Sequence, residues 1–109
     1  MNEKDRELIL KFKNRLPSDV KGHLRQIIVF GSRVKGEAKE DSDIDVIALV
    51  DKKTPEIERK LEDVAYQVMW DHDFKPIISL KVFAELQFNN AIKKGFSFYE
   101  HVQKEGFSV

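Results

Sequence analysis

The 109-residue chain contains no cysteine, only three prolines and five glycines, and carries no net charge. Without cysteine there is no disulfide scaffold and no thiolate metal site, so any metal must be held by oxygen or imidazole ligands. The same absence suits a reducing compartment, and a cytoplasmic protein is expected. Lysine plus arginine and aspartate plus glutamate balance at 19 each, so no overall basic field argues for nucleic acid as the partner. Long apolar runs are also missing. The longest, IIVF ending at Phe30 and VIALV ending at Val50, are far too short to span a bilayer, and the charged start MNEKDRE lacks the apolar core of a secretory signal.

What is present fits one domain over residues 1–109, because a chain of this length has room for a single core. Leu8, Ile9, Phe12 and Leu16 recur at helical spacing and Pro17 closes the segment, which predicts an amphipathic helix over residues 3–16. Residues 24–30 and 44–50 read as neighbouring buried strands. Thr54 and Pro55 make a helix start, with Ile57, Leu61, Val64, Ala65, Val68 and Met69 on one face. Residues 74–80 predict a third strand, placed at an edge by Pro76. Helices follow over 83–94, stopped by Gly95, and over 97–105, stopped by Gly106. This order predicts an α/β or α+β fold in which helices pack on a small mixed sheet of three or more strands.

Chemistry concentrates between Gly31 and Val46. Side chains two apart on a strand point the same way, so Asp43 and Asp45 set two carboxylates on one face while Ile44 turns into the core. Such a pair is costly unless a cation neutralises it. Magnesium is the natural choice, because it takes oxygen ligands and shares them among carboxylates, waters and phosphates. Gly31 and Ser32, at the end of the preceding strand, offer backbone free of side-chain bulk, N–H groups and a hydroxyl, all suited to phosphate oxygens. Together the turn and the acids are suited to a nucleoside triphosphate with magnesium.

The pattern Gly31-Ser32-Arg33, Gly36, then Ser42-Asp43-Ile44-Asp45-Val46 resembles the signature of the DNA polymerase β-like nucleotidyltransferase superfamily. The short layout and the ending Phe98-Tyr99-Glu100-His101-Val102 with Lys104-Glu105-Gly106 are similar to its minimal nucleotidyltransferases, which are often encoded beside HEPN-domain proteins as toxin–antitoxin pairs. The resemblance implies a polymerase β-like fold in which Gly31 and Ser32 contact the terminal phosphates, Arg33 adds positive charge, and Lys35 and Lys39 do so more loosely. It implies two Mg2+ ions on Asp43 and Asp45, with ATP or another nucleoside triphosphate as substrate. The reaction implied is attack of an acceptor hydroxyl on the α-phosphorus with loss of pyrophosphate. Active members carry a third carboxylate on a neighbouring strand. If residues 74–77 are that strand, Lys75 stands in the acid's place and Asp73 is the nearest substitute as catalytic and metal-binding residue, with Asp71 behind it.

The implied function is transfer of AMP to a tyrosine of a HEPN-type toxin, which makes the chain an antitoxin. The competing reading is a catalytically silent nucleotide-binding module that neutralises its partner by contact. RNA tailing is disfavoured by the small size and neutral charge, and self-association stays open. Plainer readings stand beside each residue. Asp43 and Asp45 could be solvated acids, Gly31 and Gly36 mere turn formers, Ser32 a helix cap, Arg33 half of an ion pair, and Asp73 a turn residue. Trp70, Phe74, Phe83, Phe88, Phe96, Phe98 and Tyr99 read mostly as core or packing residues.

Overall fold

The computed structural model describes residues 1–36 and 42–109. Its centre is a four-stranded mixed sheet built from β1 (Leu24–Phe30), β2 (Ile44–Val50), β3 (Ile78–Ala84) and β4 (Phe107–Ser108), in the order β3-β2-β1-β4. β1 runs antiparallel to β2 and to β4, whereas β2 and β3 are parallel. A parallel pair needs a crossover, and α4 (Pro55–Asp71) provides it. The remaining described helices are α1 (Glu3–Arg15), α2 (Ser18–Lys21), α3 (Ser32–Lys35), α5 (Glu85–Lys93) and α6 (Ser97–Glu105).

Strand alternation divides the apolar side chains between two cores. On one face Ile27, Val29, Ile44, Val46, Ala48, Val50, Ile78 and Val82 pack with Leu8, Ile9 and Phe12 of α1 and with Ile57, Leu61, Val64, Ala65 and Val68 of α4. On the other, Ile28, Ile47 and Leu49 meet Phe88 of α5 and Val102 of α6. Helices thus cover both faces of the sheet. Capping follows the sequence: the Asn2 side chain accepts from the Asp5 N–H at 2.8 Å, and Thr54 Oγ1 accepts from the Ile57 N–H at 3.1 Å with Pro55 opening the helix. Gly106 lets α6 return to the sheet, since a Cβ there would lie 2.4 Å from Ile28 Cγ2 and 2.5 Å from the Val102 carbonyl oxygen.

The third strand lies four residues later than the sequence predicts. Asp73 and Phe74 both take left-handed backbone, with φ of 57°, and that conformation makes a turn and cannot extend a strand. The edge position expected for this strand holds. The aromatic residues divide: Phe88 is buried, but Trp70 is 65% and Tyr66 55% exposed, and Phe96 and Phe98 are also exposed. Tyr66, Trp70 and Phe74 form an aromatic row on the outer side of α4 and the turn after it, with Trp70 and Phe74 edge to face at 5.9 Å.

One ion pair is deeply enclosed. Arg33 is 9% and Asp5 2% exposed; Arg33 Nη1 donates to Asp5 Oδ1 at 3.3 Å, and its Nε donates to the Ser42 carbonyl at 3.1 Å. Removing one member of such a pair strands the other charge out of water, at a cost of about 3–5 kcal/mol. Arg33→Ala is therefore expected to lower unfolding stability by that amount in denaturant titrations of the ligand-free protein. A loss below about 1 kcal/mol would make the pair equivalent to a surface contact.

Candidate active site

The site begins where β1 ends. Gly31 sits at φ 84°, a conformation that favours glycine, and serves as N-cap of α3. The first N–H groups of a helix have no partner within it, so the turn presents donors beside the partly exposed Ser32. Phe30, just before the turn, is the Cα partner of Asp45. The turn and the acids are therefore side by side: a Cβ built on Gly31 would fall 2.7 Å from Asp45 Oδ2. Only a residue without a side chain leaves this carboxylate its place.

Ile44 and Val46 are fully buried in the first core, so alternation sends Asp43 and Asp45 to the opposite face, as expected. Asp43 is exposed and Asp45 partly buried. Burial, reinforced by the negative charge of Asp43, raises the Asp45 carboxyl above its ordinary value, while Lys81 pulls the other way. A pair of oxygen ligands burdened by desolvation and mutual repulsion fits a hard divalent cation such as Mg2+.

Other predicted residues lie elsewhere. Asp73 is in the turn after α4, and no group of three acidic or histidine side chains able to hold a metal forms among the described residues. Asp73 is thus not gathered with Asp43 and Asp45, because the left-handed turn leads into a strand that starts only at Ile78. Asp71 instead pairs with Arg15. Arg33 is put to a different use from phosphate contact, holding Asp5 and the Ser42 carbonyl in the interior. Lys35 reaches Glu105 of α6 at 2.9 Å. Lys39 lies outside the described residues.

Sequence reasoning missed the neighbours supplied by β3. Register places Ser79 opposite Asp45 and Lys81 opposite Ile47, so Ser79 and Lys81 share the face of the acids. Lys81 Nζ stands 5.0 Å from the centroid of the Phe98 ring, which meets Phe30 edge to face at 5.7 Å. The signal was the alternation Ile78, Ser79, Leu80, Lys81, Val82, Phe83, legible only once the strand is placed there.

The model of the nucleotidyltransferase domain family matches residues 9–102. The chain belongs to this family. Two Methanocaldococcus jannaschii proteins assigned as protein adenylyltransferases are related to it. MJ0141 is 34% identical over 79 residues, covering 69% of this chain and 79% of the relative. MJ0604 is 31% identical over 106 residues, covering 97% and 96%. A toxin–antitoxin crystal structure with AMP-PNP shares the fold at a TM-score of 0.56 and 18% identity, covering 94% of this chain and 69% of its own. The chain is thus a nucleotidyltransferase enzyme of the minimal type that its motif resembles. No helix among the described residues is long and apolar enough to cross a membrane.

In this nucleotidyltransferase the raised Asp45 carboxyl has a consequence for stability. Between its unfolded and folded values the native state binds more protons than the unfolded chain, so stability falls as pH rises through that window and stays lower above it. Asp45→Asn is expected to raise the thermal midpoint of the metal-free protein at pH 7. The difference should close below about pH 3.9. Scanning calorimetry of both proteins across pH checks this, and a lower midpoint for Asp45→Asn at pH 7 would refute the cost assigned to the carboxylate.

Proposed function

We propose that this nucleotidyltransferase moves AMP from ATP onto a protein hydroxyl, a tyrosine of a HEPN-type toxin partner, and so acts as an antitoxin in the cytoplasm. The carrying observation is the Asp43–Asp45 pair at the opening of β2, with Asp45 packed against the bare backbone of Gly31 and its carboxyl raised by burial and by the charge of Asp43. The assignment of two relatives as protein adenylyltransferases supports AMP as the transferred group and a protein as acceptor. The toxin–antitoxin likeness, seen with AMP-PNP, supports the partner class. The unit carrying the chemistry is a single domain, residues 1–109.

Asp43 and Asp45 would hold Mg2+, which supplies charge neutralisation at the phosphates and polarises the α-phosphorus. Gly31 and Ser32 receive the terminal phosphates through N–H groups and a hydroxyl. The acceptor oxygen forms a bond to the α-phosphorus as the bond to the bridging oxygen breaks. Pyrophosphate leaves with the electron pair, and the hydroxyl proton passes to solvent. The protein's work is to position the reactants and stabilise their charge.

A second reading has its own support. Positions 79 and 81 of β3, beside the acids, are serine and lysine rather than a carboxylate, which suits a module that binds nucleotide and neutralises its partner without transfer. With α-labelled ATP, Mg2+ and a HEPN-type protein, label is expected on the partner, and Asp43→Asn with Asp45→Asn should reduce transfer at least about a hundredfold. Transfer that survives the double substitution would remove the acids from the chemistry. Absence of transfer, with toxin inhibition unaffected by the substitution, would establish the binding-only reading.

A further inference from the structure

The face that presents Asp43 and Asp45 also presents a fixed positive charge. β2 and β3 are parallel and in continuous register from Ile44 opposite Ile78 to Val50 opposite Ala84. Lys81 therefore follows Ser79, the partner of Asp45, at the next position on the same face. Its ammonium is held over the Phe98 ring at 5.0 Å, a cation–π contact. Phe98 in turn packs edge to face on Phe30, the Cα partner of Asp45 on the other side. Lys81, Phe98, Phe30 and Asp45 thus form a ring around one surface, and the lysine has no carboxylate partner among the ion pairs of the described residues. The described residues bring no third acid to this surface.

Charge arithmetic gives this arrangement a meaning. Three carboxylates with two divalent ions carry a local charge of one plus. Two carboxylates, one ammonium and one divalent ion carry the same. We propose that Lys81 is a built-in cation of the nucleotide site: it offsets part of the charge of the acids, contacts the triphosphate directly, and lets the centre work with one metal ion. This rests on the nucleotidyl reading of the acid pair. It also suits a surface to which the described residues bring two acids, because the lysine supplies the charge that a second metal ion would bring.

The two roles of Lys81 have opposite consequences, which a merely structural residue would not show. Removing the ammonium relieves a repulsion felt by a metal ion on the acids, but deprives the triphosphate of a partner. Lys81→Ala is expected to tighten binding of Mn2+ alone, followed by paramagnetic resonance, by roughly threefold to tenfold, as suits a solvent-screened charge on the same face. It should weaken binding of Mg·AMP-PNP, followed by calorimetry, by about tenfold. Lys81→Arg should stay near wild type in both. Lys81→Asp should raise tight Mn2+ stoichiometry from one to two per chain. Opposite shifts in Lys81→Ala, repeated in Lys81→Gln, support the proposal. Two tight Mn2+ ions in the wild type, or Lys81→Ala and Lys81→Gln moving both affinities in one direction or neither, overturn it. A wild-type chain that binds neither Mn2+ nor AMP-PNP would instead bring down the nucleotidyl reading, and this inference with it.

Discussion

Two like charges held two residues apart on one strand are the constraint around which this molecule is arranged. Ile44 and Val46 are pegged in the core between α1, α4 and the sheet, so Asp45 between them cannot leave the opposite face, where the charge of Asp43 just before the strand reaches it, without exposing buried aliphatic surface. Burial of one such side chain is worth about 1.5–3 kcal/mol, more than the repulsion between two partly solvated carboxylates. The core therefore wins, and the acids remain paired on the opposite face. Gly31 then matters because a side chain there would displace the Asp45 carboxylate, and Lys81 matters because it lies close enough to offset part of the charge.

The elements that sequence patterns reveal here are those whose periodicity has clean punctuation. α1 and α4 have capped starts and long apolar faces, β1 and β2 end in the apolar runs IIVF and VIALV, and α6 lies between Phe96 and Gly106 as expected. β3 was harder because Phe74, Lys75 and Pro76 imitate a strand opening, while the left-handed backbone at Asp73 and Phe74 is hinted at only by the aspartate and has no signal in a phenylalanine. α2, α3 and β4 are too short to produce a period.

The site divides along the same line. The nearness of the Gly31–Ser32 turn to Asp45 was legible because alternation along a strand and a turn at the end of its neighbour are local properties. Arg33 was half legible: a charged residue after a glycine turn reads equally as ligand contact or ion pair, and only the packing of α1 brings Asp5 to it. Lys81 and Ser79 were not legible, since they depend on the parallel register of β2 and β3 across a seventeen-residue helix. Family membership therefore accounts for the fold, while the neighbours of the acid pair follow from the register of the third strand.

The Arg33 side chain grips the carbonyl of Ser42 while its own backbone lies in the helix that Gly31 opens. The residue before the first acid is thus latched to the helix after the turn. An incoming nucleotide would find donors and carboxylates already set at their mutual spacing. Little ordering of backbone would be charged against affinity, the benefit of preorganisation, and it comes from a guanidinium that need never touch the nucleotide.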